Sequence, residues 1–298
     1  MQGNSEKKDT VEKEFVAFPD VAADTINALL YQGKIRTGPQ RLWPGPTETV
    51  YQGNEKLRTQ YEDLCKFEII NGQIRIMYLI ANQSRADGKM LLRKAGYTGG
   101  IYREQSEKKT QSLFPVIELI LYRGQPGWKS GRDIRQLFRR QMLEKEEWKY
   151  IDDLKLHVFE MRRLPPETRN LFRSDMRIVV DFLAEGIGYR SDQKIVHKAA
   201  LLKMLKVLSG ETDTENIEKW LEQQHIREED EITVCELFDQ YERKGRKEGL
   251  VEGIKCGEAR RLVVDIENAM KFFQVTLERA CEALGTTVSK YEEARKLI

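Results

Sequence analysis

Cysteine and histidine are scarce in this chain, with four Cys (Cys65, Cys235, Cys256, Cys281) and three His (His157, His197, His225) among 298 residues. No two cysteines form a C-x-x-C pair and the histidines are scattered, so a zinc site of ordinary spacing is not expected. Free thiols fit a reducing, cytoplasmic setting. Long apolar runs are missing too. None approaches the roughly 20 residues that span a bilayer, so no membrane partner is expected. Nor is there an excess of one charge: 50 Lys and Arg against 48 Asp and Glu leave +2, so a polyanionic partner has to be argued from local patches. Familiar catalytic signatures are absent as well, with no G-x-S-x-G elbow, no H-E-x-x-H and no phosphate loop. The run GYTGG (Gly96 to Gly100) lacks the lysine of such a loop and reads as a turn. No histidine has a plausible nucleophile near it, which points to surface or capping roles.

What is present is an ordinary core, 40% hydrophobic with 33% charged residues, and a length that suggests two units. The opening MQGNSEKKDTVEK has no apolar stretch and reads as a mobile polar arm over residues 1–12 rather than a secretory signal. Ala22, Ile26, Leu29 and Leu30 share one face, predicting a helix from Asp20 to Tyr31 with a left-handed stop at Gly33. A Gly/Pro-rich loop follows, with Trp43 expected to pin it to the core. Two strand-like runs, CKFEII and QIRIMYLIANQ, flank Asn71-Gly72, a dipeptide that favours a type I′ turn and hence a hairpin. Alternation places Ile74, Ile76, Tyr78 and Ile80 on one face, and Arg75, Met77, Leu79, Ala81 and Gln83 on the other. A helix over 85–96 and a strand over 115–122 complete a right-handed parallel crossover. From Arg132 onward the pattern turns wholly helical. The expected fold is therefore an α/β mixed sheet flanked by helices over residues 13–150, then an all-helical half, divided at 151–243 and 244–298. In the last segment Gly245, Gly249, Gly253 and Gly257 stand four apart. They form either a flexible charged linker or a bare helical ridge for close packing, within an oligomer or against the rest of the chain.

The hairpin carries the candidate chemistry. Metal-dependent nucleases gather carboxylates around Mg²⁺ at the scissile phosphate. In one common layout an Asp enters one strand, and an acid on the next strand stands two positions before a Lys or Gln. Asp63 enters the first strand here and Gln83 stands two after position 81, which is Ala81. At this point the chain resembles the recombination-promoting nuclease/putative transposase (Rpn) family, of the PD-(D/E)XK restriction-endonuclease-like fold. The resemblance rests, in order, on AADTINALLY, PTE, YEDLCK, IANQS, LLRKAGY…YREQ and PVIELILY, with EGLVEG similar to the family's glycine-rich tail. It implies Asp63 as the metal-binding carboxylate, Gln83 in the place of the lysine, and Asp24 and Gln105 around the site. It also implies Mg²⁺ and a DNA partner. Three positions depart from the pattern: Ala81 where the family has Glu, Pro46 where it has Asp, and Thr98 where an Asp is common. Each removes a carboxylate.

Two other acids are weighed as a second metal ligand, Glu48 and Glu118. Glu118 interrupts an apolar strand, and an ion pair to Arg75 or Arg93 is the preferred account of it. For DNA, Arg85, Lys89 and Arg93 recur every four residues on the expected helix, and Arg132, Arg135, Arg139 and Arg140 follow the last strand. The leading reading is a DNA-binding relative of recombination-promoting endonucleases whose cleavage is weakened or lost through Ala81. Its rivals are an active Mg²⁺-dependent endonuclease using Asp63 with Glu118 or Glu48, and a protein-interaction module. A homo-oligomer through the C-terminal helices fits the glycine ridge.

Overall fold

A computed structural model describes residues 2–53, 56–61, 63–107, 112–138, 142–210 and 217–297, with 2–7, 48–53, 56–61, 187, 242 and 244–252 described by backbone. The chain divides into two units, Met1–Glu231 and Ile232–Ile298. The first opens on helices α1 (Gln2–Ala17) and α2 (Pro19–Tyr31). The segment read as a polar arm is thus helical. Its anchor begins inside the polar run and continues past it, with Val11, Phe15 and Val16 buried on one face together with Glu12. Pro19 starts α2, and Gln32 and Gly33, both at positive φ (52° and 78°), end it.

Among the described residues seven strands follow: β1 (Leu42–Pro44), β2 (Glu48–Gly53), β3 (Lys56–Tyr61), β4 (Leu64–Ile70), β5 (Gln73–Gln83), β6 (Val116–Tyr122) and β7 (Val158–Glu160). β2 and β3 pair as a separate hairpin, while the other five form one mixed sheet in the order β1-β4-β5-β6-β7. The pairings of β4 with β1 and β5 are antiparallel, and those of β6 with β5 and β7 are parallel. Asn71 and Gly72 both take positive φ, 51° and 76°, as the expected I′ turn requires. Trp43, expected to pin the loop, is exposed.

Helix α3 (Met90–Glu107) makes the crossover from β5 to β6. It starts later than the expected 85–96 and runs through GYTGG. Asp87 sets the start: its carboxylate accepts the Lys89 N–H at 2.8 Å, and its carbonyl accepts the Met90 N–H at 3.2 Å. Buried Leu91, Lys94, Tyr97, Ile101 and Gln105 repeat at helical spacing, which carries the helix across the glycines. One sheet face is covered by α3: Met77 and Leu79 pack with Ile101, and Ala81 with Met90, Leu91, Ile120 and Trp128. On the other face the Tyr78 hydroxyl meets that of Tyr31 in α2 at 2.9 Å.

The stretch after Arg132 is not wholly helical, because β7 extends the sheet. Three residues are too few for an alternation to be read. Helices α4 (Pro166–Arg169), α5 (Met176–Glu185), α6 (Lys198–Ser209) and α7 (Ile217–Gln223) complete the first unit.

The second unit comprises α8 (Val234–Phe273), α9 (Leu277–Ala283) and α10 (Val288–Lys296) around Val263, Ile266, Ala280, Cys281 and Tyr291. A capping box of Thr233 and Glu236 starts α8, and the glycine ladder lies inside this one continuous helix. Among the described residues, no helix is long and apolar enough to cross a membrane.

Candidate functional site

Strands β5, β6 and β7 are parallel, so their carboxyl ends share one sheet edge, the usual ligand-binding edge of α/β sheets. Asp63 arrives at the same edge, because it precedes Leu64, which pairs with Ile80. Its carboxylate is fully engaged. Oδ2 accepts the Asn82 backbone N–H at 2.6 Å, and Oδ1 lies 3.1 Å from Lys13 Nζ of α1. The Asn82 side-chain carbonyl in turn accepts from Arg123 Nη1 at 2.6 Å. That same nitrogen donates to Glu12 Oε2 at 2.8 Å, and both of these charged side chains are buried, 0% and 2% exposed. The Asp9 carboxyl is held above its ordinary range by burial and then by the negative charges of Glu12 and Asp63.

Helix α1 therefore brings Asp9, Glu12 and Lys13 to the end of the sheet. Sequence reasoning missed all three, along with Arg123. The available signal was the spacing of Lys8, Asp9, Glu12 and Lys13 at i, i+1, i+4 and i+5, ahead of the apolar pair Phe15 and Val16.

Ala81 lies across from Asp63 in register, yet the two side chains part. Asp63 turns to α1, while Ala81 is 3% exposed in the apolar cluster under α3. Gln83 is half-buried, and its carbonyl accepts the Arg123 N–H at 2.8 Å. Glu118 is 2% exposed and neither of its oxygens has a hydrogen bond. Burial raises its carboxyl to about 7 against the pull of Lys94 and Arg93. Lys94, itself lowered by burial, spends its ammonium on the Lys155 carbonyl at 2.5 Å. Arg75 pairs with Glu68, and Arg93 pairs with Asp87 at 3.1 Å. Arg93 thus acts on Glu118 through its charge, without a hydrogen bond. Burial and the charges of Lys94 and Lys155 lower His157 nearby. Glu48 begins β2, but its side chain lies outside the described residues.

Two residues expected around the site are engaged elsewhere. Asp24 accepts from the Arg173 and Ser174 N–H groups, each at 2.8 Å, and from the Ser174 hydroxyl at 2.7 Å, tying α2 to the segment before α5. Gln105 clasps the Phe114 backbone, accepting at 2.9 Å and donating at 3.2 Å.

A divalent metal of the Mg²⁺ type needs several converging oxygens. Among the described residues, no three His, Cys, Asp or Glu side chains are gathered to hold a metal ion. Lys13 already occupies Asp63, and Ala81 offers no oxygen. The described residues do not fit a bound Mg²⁺.

The basic side chains are arranged differently from the expected helical stripe. Arg85 and Lys89 are exposed in the bend and turn between β5 and α3, and only Arg93 is on the helix. Arg132 pairs with Glu160, and Arg135 donates to the Ile151 carbonyl at 2.8 Å. Arg139 and Arg140 lie outside the described residues. Arg163, which the sequence reading passed over, is exposed just beyond β7 at the same sheet edge as Arg85, where it lies 3.8 Å from Glu160 and donates to the Gln125 carbonyl.

A model of the family described as "Putative transposase, YhgA-like" matches residues 7–216. The chain belongs to this family. No curated protein and no solved structure matches it. The matched span takes in α1 from Lys7, so Asp9, Glu12, Lys13, Asp63 and Arg123 all belong to the part this transposase family shares. The glycine ladder of α8 lies outside it.

Proposed function

We propose that this chain is a DNA-binding member of its transposase family, built on a nuclease core of PD-(D/E)XK type in which metal-dependent phosphodiester cleavage is lost. One observation carries the reading: Asp63 is spent on Lys13 and the Asn82 N–H, while position 81 contributes an alanine to an apolar cluster. Nuclease-type chemistry needs a metal-activated water held between carboxylates, and the described residues offer no such set. What remains is a sheet edge bearing the exposed cations Arg85 and Lys89, with Arg163 beside them, partly held by Glu160. Cations so placed suit phosphate contacts, which give affinity and orientation without cleavage.

Fluorescence anisotropy on a labelled duplex across a salt series tests this. The parent should bind, with log affinity falling linearly against log salt. Neutralising Arg85, Lys89 and Arg163 together should weaken binding and reduce the slope by about 0.9 for each phosphate that is no longer neutralised. An unchanged slope would place DNA elsewhere or nowhere on this edge.

A second reading, association through the C-terminal helices, draws on Phe272 and Phe273, which are 84% and 69% exposed at the end of α8. Gly253 and Gly257 also face open space on that helix. Large exposed aromatics of this kind mark interaction surfaces.

A further inference from the structure

A hollow lies where the end of α1 meets the start of α6. Small side chains create it: Ala17 of α1 and Ala199 and Ala200 of α6 stand where larger residues would close the gap. They leave a cavity of about 530 Å³, within the size range of small-molecule pockets. Phe18 and His197 line it with stacked rings, their centroids 3.8 Å apart. Asp20 fixes the His197 ring, with its two carboxylate oxygens 2.9 and 3.0 Å from Nε2. Glu14, Glu218 and Glu228, all exposed, complete the lining together with Lys203.

The charges around this cavity decide what it takes. An anion needs donors, and those at hand are engaged. Helix N-termini ordinarily attract anions, but the first two N–H groups of α6 already have one: Glu228 accepts from Lys198 N–H at 3.0 Å and from Ala199 N–H at 3.3 Å. Lys198 is buried and gives its ammonium to the Glu228 carbonyl at 2.6 Å. Lys203 pairs with Glu218, and the His197 ring with Asp20. The carboxylates Glu14, Asp20, Glu218 and Glu228 thus outnumber the lysines Lys198 and Lys203 four to two. A carboxylate has about four lone-pair sites, so Glu218 and Glu228 keep acceptor capacity beyond the partners just named. Surplus acceptors and surplus negative charge around an apolar, aromatic-walled hollow are complementary to an organic cation.

We propose that this cavity binds a small organic cation, a guanidinium carried on a short apolar stem. A guanidinium is planar and weakly hydrated, stacks on aromatic faces and forks onto carboxylates. The Phe18–His197 wall serves the first property and the acids serve the second, while the stem rests on the three alanines. An ammonium on the same stem keeps the charge but loses the plane. The site is independent of the DNA-binding reading, because a carboxylate-lined hollow repels phosphate and shares no residue with the basic edge of the sheet.

Calorimetric titration of the full chain with butylguanidine, butylamine and butyrate tests this, since the three share a stem length class and differ in the charged head. Butylguanidine should bind saturably. Butylamine should bind about tenfold more weakly, the loss expected for one charge-assisted contact, and butyrate should not bind. Glu14→Gln, at an exposed position of α1, should weaken butylguanidine binding, and Ala200→Leu, which fills the hollow, should abolish it. Both variants should keep the parent's circular dichroism. Were Ala200→Leu to misfold, Glu14→Gln and the three-ligand comparison would still decide. Absence of saturable butylguanidine binding by the parent would overturn the proposal. So would butylamine or butyrate binding as tightly as butylguanidine, or butylguanidine binding that neither folded variant changes.

Discussion

Glu118 shows how one residue can be conspicuous in the sequence and still have its role misplaced. Its charge inside PVIELILY signals a special position, and the structure puts it under α3 with neither oxygen hydrogen-bonded. Its carboxyl is raised from 4.5 to about 7. The folded state therefore holds the proton more tightly than the unfolded chain does. The stabilisation this gives is complete below about pH 4.5 and is lost as pH rises toward 7, an effect on the order of 3 kcal/mol. Glu118→Gln should flatten that slope, measured as urea midpoints at a series of pH values with m unchanged. A variant that keeps the parent's slope would mean another group binds the proton. The position of Asp63 was legible for a different reason: a carboxylate entering the first strand of a hairpin is a local pattern. Its partners were not. Lys13 lies 50 positions earlier in the chain, and no local periodicity joins α1 to the end of β5. Ala81 was legible as a departure, but only the packing shows its side chain turned to α3 and away from Asp63.

Among the elements, those read correctly were the ones whose signal is local. Asn71-Gly72 dictates its turn by backbone conformation, and the β5–α3–β6 crossover follows from one long strand, one helix and a second apolar strand. The failures came where tertiary contact decides. Helix α1 depends on burying Phe15 and Val16 beyond a polar run, and β7 exists through its pairing with β6. The glycine ladder illustrates the same competition. Four glycines argue against a helix, yet α8 runs through them from its capping box, and a Cβ at Gly253 or Gly257 would meet nothing within 4 Å. Gly253→Ala and Gly257→Ala should each stabilise the C-terminal helices by up to about 1 kcal/mol, seen as later loss of helical circular dichroism on heating. A loss of stability instead would mean that another surface packs on this face, as in an oligomer.

On the scale of the whole molecule, a net charge of +2 hides a division of labour. Some buried charge is paired internally, as in Arg123 with Glu12 and Arg169 with Asp181, while Glu118 stands apart without a hydrogen bond. The basic groups left exposed at the carboxyl edge of the sheet are few. Under the proposed function, a molecule built this way holds a phosphate backbone without assembling a cleaving metal centre beside it. The most direct test is incubation of the parent protein with supercoiled plasmid in Mg²⁺ and in Mn²⁺, at concentrations where anisotropy shows the DNA bound. The plasmid should stay supercoiled with either metal. Metal-dependent nicking that disappears in Asp63→Asn would contradict the loss of cleavage, because Asp63 would then be serving a working metal centre despite Lys13 and Ala81.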